Sequence, residues 1–197
     1  IYVVDTTARV TAFDATTGAQ IWSNALEVED DGKSSRFGGG VSATSANVFA
    51  TNGVGDVASL AADTGALVWK KRPAGPLRGA PTLSNGNLYV MTQDNQIYAL
   101  RQSDGEPQWN EAGPVAASGI FGVGAPAAAK GTVIAGYSSG ELAAYRYENG
   151  RSLWSDTLSR TAMSTSVSTL TDIDADPVID RGRVFALGKG GRMASYE

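Results

Sequence analysis

The sequence predicts an all-β protein, a β-propeller of four-stranded antiparallel blades, and three observations predict it. The chain has four Trp, and each stands four residues after a Gly: Gly18 and Trp22, Gly65 and Trp69, Gly105 and Trp109, Gly150 and Trp154. Nine residues before each Trp comes Phe13, Leu60, Leu100 or Tyr145, preceded by a small residue, Ala12, Ser59, Ala99 or Ala144. Between these marks lie short apolar runs separated by polar turns rich in Asn, Asp, Ser and Gly, which is hairpin patterning. No segment holds a 3.6-residue period over a helical length. Trp spacings of 47, 40 and 45 residues suit a propeller blade, whereas a β-helix repeats over a much shorter period. A β-sandwich would not require Trp in register.

Taken in order, the units read as follows. The first lacks an opening strand: IYVVD and RVTAFD are its second and third, AQIW its fourth. The second runs GVSAT, VFATN, VASLA and ALVW. The third has APTL, the turn SNGN, LYVMT, IYALR and EPQW, and the fourth APAAA, TVIAGY, ELAAYR and RSLW. The last holds DPVID, RVFAL and RMASYE, with Ser195 and Tyr196 at the small–bulky pair. Blade units therefore fall at about residues 1–26, 39–73, 79–110, 122–156 and 176–197, in one propeller domain. With eighteen strands, about four and a half blades, the chain reads as an internal piece of a longer propeller. An open arc of blades exposes apolar faces at both ends and is expected to self-associate. The small residue on each third strand suits a close approach of blades. The Trp on each fourth strand offers a flat face to the neighbouring blade, so Trp22, Trp69, Trp109 and Trp154 are read as structural rather than as ligand-stacking.

Composition excludes several functions. The chain has no Cys and no His, which removes thiol chemistry, disulfides, the commonest zinc sites and histidine acid–base catalysis. A net charge of −4 argues against a nucleic-acid partner. No apolar run reaches the ~18 residues of a membrane span.

In a propeller, the links from the last strand of one blade to the first of the next all emerge on one face. Here they are long: LEVEDDGKSSRFG (26–38), with Glu27, Glu29, Asp30 and Asp31; KKRPAGPLRG (70–79), with Lys70, Lys71, Arg72 and Arg78; NEAGPVAASGIFG (110–122); and TLSRTAMSTSVSTLTDIDA (157–175). Functional residues concentrate on long loops held by a rigid scaffold, so the binding face is placed here, against the plainer reading of solvated connections. Asp172, Asp174 and Asp176 resemble the start of a calcium loop. Such loops take Gly at the sixth position and a carboxylate at the twelfth, where this chain has Pro177 and Arg183. RFGGGVS and FGVGAP lack the following helix and the Lys-Ser/Thr of a phosphate cradle and read as turns leading into first strands. No carboxylate spacing selects a glycosidase pair. No metal or cofactor is expected.

The stretch AFDATTGAQIW resembles the tryptophan-docking repeat, Ala-x-Asp-x-x-Thr-Gly-x-x-x-Trp, of quinoprotein-type eight-bladed propellers. The other three units keep Gly, Trp and the small residue but lose the Asp. Within that group the chain resembles the BamB family of the outer-membrane β-barrel assembly machinery nearly end to end. The most specific stretches are IFGVGAPAAAKGTVIAGYSSGELAAY and STLTDIDADPVIDRGRVFAL. The resemblance implies a non-enzymatic, lipid-anchored scaffold on the periplasmic side of the outer membrane, one that binds the periplasmic domains of BamA, the barrel-forming subunit, and meets unfolded outer-membrane proteins. It carries partner contact onto Asp172 and Asp174, and onto Ser118, Gly119, Ile120 and Phe121. There the chain departs from the family's Leu-x-Leu-Arg, with Phe121 at the position of the cation; Arg160 is another source of that charge. The lipid-bearing N-terminal Cys of the family is absent from this sequence. Read from residues alone, the two aspartates would be turn-forming or strand-capping.

Two other readings compete. One is a pyrroloquinoline-quinone dehydrogenase, which shares the repeat but needs calcium ligands, a catalytic Asp and often a vicinal Cys pair. The other is a propeller that binds another protein or an extended peptide at an exposed sheet edge.

Overall fold

The computed structural model describes residues 1–26, 39–114, 124–158, 173, 175–188 and 191–197. Among them are eighteen strands and no α-helix, in five antiparallel sheets of three, four, four, four and three strands. The first sheet holds β1 (Tyr2–Val4), β2 (Arg9–Phe13) and β3 (Gln20–Ala25). The second holds β4 (Val41–Ala43), β5 (Asn47–Thr51), β6 (Val57–Ala61) and β7 (Leu67–Lys71), the third β8 (Leu77–Ser84), β9 (Asn87–Thr92), β10 (Gln96–Arg101) and β11 (Pro107–Ala112). The fourth holds β12 (Ala127–Ala129), β13 (Thr132–Gly136), β14 (Glu141–Arg146) and β15 (Ser152–Thr157), the fifth β16 (Val178–Asp180), β17 (Arg183–Gly188) and β18 (Arg192–Tyr196). Each sheet is a meander in which sequence neighbours pair, as a propeller blade requires. A meander of four antiparallel strands has a geometric consequence. The turn between a blade's second and third strands and the link to the next blade leave from the same face.

The repeat marks have a common physical role. Across the third–fourth strand ladder, Trp22 lies opposite Ala12, Trp69 opposite Ser59, Trp109 opposite Ala99 and Trp154 opposite Ala144. A bulge follows each pair at the same place, adding one residue and turning the Trp towards the next blade. The Trp22 indole N–H donates to Ala62 O at 3.0 Å, that of Trp69 to Gln102 O at 3.0 Å and that of Trp109 to Tyr147 O at 2.8 Å. These three carbonyls occupy one position, three residues before the Gly of the following unit. The ring itself lies on that Gly. A Cβ on Gly105 would stand 2.7 Å from Trp69 Cζ3, and one on Gly150 would stand 2.7 Å from Trp109 Cε3. Gly65 receives Trp22 in the same way. The Gly of one unit thus serves the Trp of the unit before it.

The turn carrying that Gly survives loss of the motif Asp because the backbone closes it. Gly18, Gly65, Gly105 and Gly150 all have φ between 72° and 74°, and each N–H donates to the carbonyl four residues earlier, on Asp14, Ala61, Arg101 and Arg146. In the first unit the Asp14 carboxylate also accepts from the N–H groups of Thr16 and Thr17, at 3.0 and 2.7 Å. The bonds from Thr17 and Thr16 hold its pKa below the usual carboxylate value.

The core lies between blades. One apolar cluster joins Val10, Ala12 and Trp22 to Val48, Ala58 and Leu60, and the next joins Phe49 and Val57 to Leu77, Leu88 and Leu100. A third packs Tyr89, Ile97 and Trp109 against Val133, Tyr137 and Tyr145, and a fourth packs Ile134, Leu142 and Ala144 against Val184 and Ala186.

Candidate functional site

The partner-contact residues expected from the sequence, Ser118, Gly119, Ile120, Phe121, Asp172 and Asp174, lie outside the described residues, as do Glu27, Glu29, Asp30, Asp31 and Arg160. The segments that carry the first six in and out of the scaffold are described, and they converge. The link leaving the third blade is pinned at its start. Gly113 N–H donates to Asn95 O at 2.7 Å, and the Asn95 amide donates to Pro114 O at 3.1 Å. Asn95 sits in the second–third strand turn of the same blade with φ 62° and is buried. The link arriving at the fourth blade ends in Gly124 and Ala125.

The link between the fourth and fifth blades is pinned at both ends. At its start, Leu158 is buried and its N–H donates to Gly140 O at 2.8 Å. Near its end, the buried Ile173 belongs to the apolar cluster of the fourth and fifth blades and donates its N–H to Tyr137 O at 3.2 Å. Ile173 packs so closely on the fourth blade that a Cβ on Gly136 would meet its Cγ2 at 2.6 Å.

The two links touch each other. A Cβ on Gly124 would stand 3.2 Å from Ala175 O and 3.5 Å from Ile173 O, and Ala125 N–H donates to Asp176 Oδ1 at 2.7 Å. The chain end that follows the loop with Ser118–Phe121 is thereby fixed beside the residue that separates Asp172 from Asp174. Sequence reasoning did not single out Ile173, Gly113 or Tyr137. The first was an apolar residue inside an acidic run. The others read as ordinary members of a loop and a strand end.

Other candidates resolve into structure. Among the basic residues of the second link, Lys71 Nζ pairs with Glu106 Oε1 of the next blade at 2.6 Å. Arg72 Nε pairs at 2.8 Å with Asp56, whose carboxylate is buried and also takes the amide of Asn52 at 3.0 Å. The hydrogen bond and charge of Glu106 raise the Lys71 pKa. These cations tie the link to the blades. The Gly-rich stretches lead into first strands: Gly39 and Gly40 precede β4, Gly124 precedes β12. A Cβ on Gly40 would meet Ala80 Cα at 2.7 Å, so this Gly serves close blade packing. Asp176, the last carboxylate of the calcium-like run, is engaged by the Ala125 N–H. Among the described residues no group of three His, Cys, Asp or Glu side chains could hold a metal ion.

Along the innermost strands runs a groove of about 460 Å³ lined by Ser42, Pro81, Thr82, Pro126 and Asp176. Its hydroxyls are used across blades: Ser42 donates to Pro81 O and Thr82 to Pro126 O. At the next seam the equivalent residue is Ala127, and Asp176 makes the tie instead.

The model of a family described as outer membrane protein assembly factor BamB matches residues 6–197. The outer membrane protein assembly factor BamB of Yersinia pestis is 31% identical over 201 residues, a match covering 100% of this chain and 51% of that protein. The chain spans about half the length of the curated relatives it matches. Among solved structures, BamB from Moraxella catarrhalis superposes with a TM-score of 0.80 at 20% identity, over 98% of this chain and 57% of that one. The quinohemoprotein alcohol dehydrogenase ADHIIG from Pseudomonas putida HK5 superposes with a TM-score of 0.72 at 14% identity, over 98% of this chain and 38% of that one. That is a likeness of fold.

Proposed function

The chain belongs to the family of the outer membrane protein assembly factor BamB, and from that premise we propose that it is a non-catalytic binding subunit of the machinery that assembles outer-membrane β-barrels. It works on the periplasmic side of the outer membrane, held there by a lipid anchor in the full-length protein. Its partner is a BamA-like barrel-forming subunit, contacted through that subunit's periplasmic domains. The contact is made on the link face, with Ser118–Phe121 on one link and Asp172 and Asp174 on the other.

One observation carries this reading. Gly124 and Ala125 pack against Ile173, Ala175 and Asp176, so two links far apart in sequence meet where they enter the blades, which supports a contact shared between them. The two links differ in chemistry, one apolar and Gly-rich and one Ser/Thr-rich with an acidic run at its end, and together they suit a protein surface with an apolar patch beside a basic one. The aspartates would contribute charge-assisted hydrogen bonds and steer the encounter. Phe121, where a cation is expected, makes the apolar share of this contact larger than in the family pattern.

The test is recovery of the barrel-forming subunit's periplasmic domains on the immobilised full chain, wild type against Asp172→Ala/Asp174→Ala. Loss of two charge-assisted bonds is expected to weaken binding by at least about tenfold. Undiminished recovery would remove the aspartates from the contact.

A further inference from the structure

Both links that flank the fourth blade are held by one side chain and its carbonyl. Tyr137 directly follows β13, at the turn between the blade's second and third strands, and it is fully buried. Its ring fills the space over Gly113 in the link from the third blade. A Cβ there would be 2.6 Å from Tyr137 Cζ and nearer still to Cδ1 and Cε1. Its carbonyl accepts from Ile173 N in the other link at 3.2 Å. Its hydroxyl shares a 2.7 Å hydrogen bond with that of Tyr145, whose ring lies 6.3 Å from the Trp109 ring. The adjacent Ser138 N–H donates to Asn95 Oδ1 at 3.3 Å, and it is Asn95 that holds Gly113 and Pro114. The neighbour on the other side, Gly136, is the floor on which Ile173 sits.

We infer that Tyr137 is a positioning residue that couples the two links, so that displacing one loosens the other. The ring cannot yield to a side chain at position 113 by swinging away, because Tyr145 and the apolar cluster of the third and fourth blades enclose it. It moves only with its backbone, and that backbone carries the carbonyl holding Ile173. Packed elements shift between discrete arrangements rather than deforming smoothly. A disturbance at Gly113 therefore reaches the opposite link through about one residue's width of protein. Where the preceding reading of the link face as a partner surface holds, on which this coupling depends only for its use, Tyr137 sets the relative placement of the two contact groups.

The experiment is amide hydrogen exchange on the full chain, read at Ile173 and Ala175 in the second link while the first is perturbed. Gly113→Ala forces a methyl group against the Tyr137 ring and is expected to speed exchange at Ile173 by about tenfold or more. Gly150→Ala is the control. It strains the same seam, against Trp109, away from both links, and so reports general destabilisation. Exchange at Ile173 rising no further in Gly113→Ala than in Gly150→Ala would overturn the coupling. Should Gly113→Ala fail to fold, Tyr137→Leu, which removes the ring, is read in the same way, and Tyr137→Phe, which keeps it, should restore slow exchange at Ile173. Binding of the barrel subunit's periplasmic domains is measured on the same variants. Coupled exchange without any wild-type binding refutes the partner and supports the coupling. Wild-type binding with uncoupled exchange does the opposite.

Discussion

A methyl group added at Gly150 would stand 2.7 Å from Trp109 Cε3 on a backbone with φ 72°, whereas one added at Gly18, at the same φ, meets nothing within 4 Å. The pair separates two costs that one residue type incurs here. Replacement at Gly18 carries only the left-handed backbone penalty, about 1 kcal/mol. At Gly150 the overpacking of a buried ring adds about 1–3 kcal/mol. Urea unfolding of the 197-residue chain should place Gly150→Ala well below Gly18→Ala in stability, and equal losses would show that the ring does not rest on this Gly. The turn role of these residues was legible, because Gly four places before Trp in polar surroundings signals a left-handed position. Their second role was not. It joins Trp109 to a residue 41 positions later, and spacing within one unit holds no trace of it. Ile173 is similar: an apolar side chain between two aspartates declares its burial only once Gly136 is known to lie beneath it.

Among elements, the hairpins were the most legible. Asn85-Gly86 has φ 52° and 75°, the pair of positive values that a two-residue hairpin turn demands, and Asn-Gly is its strongest sequence sign. Lys130-Gly131 and Arg181-Gly182 adopt the same conformation with less favourable residues, which the strands on either side impose. β8 begins at Leu77, earlier than the expected run APTL, and its register with β9 shifts between Arg78 and Thr82. Gly79, Ala80 and Pro81 together stand against the single residue Val90, Pro81 having no N–H for the ladder, and pairing resumes at Thr82. The turns also differ in chemistry. That of the first unit is buttressed by Asp14, whose carboxyl is held low by the N–H and hydroxyl of Thr17, and the preceding turn by Asp5, held low by Thr7 and Arg9. The second and fourth units have Ala61 and Arg146 at the Asp14 position. A carboxyl with a folded pKa below its unfolded value stabilises above that unfolded value, and the stabilisation is lost as pH falls through the folded one. Acidification below about pH 4 should therefore speed amide exchange at Thr16 and Thr17 more than at the equivalent Asp63 and Thr64. Asp14→Asn should abolish the difference. An unchanged pH response in that variant would remove the carboxylate from the turn's stability.

For the molecule as a whole, stability and recognition sit in different places. The Trp–Gly seats and the apolar clusters recur at successive seams with little variation, while the links between blades differ in length, charge and apolar content. A periodic scaffold is readable from one sequence because each copy corroborates the others, as the four Trp do. Links have no second copy, and their meaning depends on which of them come together. Sequence placed four links on one face; the packing of Gly124 and Ala125 on Ile173, Ala175 and Asp176 joins two of them and leaves the basic link tied to Asp56 and Glu106. Docking of the partner on the joined pair is the proposal on which the rest turns. Its most direct test is an amide-exchange footprint of the full chain with and without the periplasmic domains of the barrel-forming subunit. Protection is expected at residues 118–121 and 172–176, with unchanged exchange at the opposite-face turns Asn85-Gly86, Lys130-Gly131 and Arg181-Gly182. Protection confined to those turns, or spread over neither link, would contradict it.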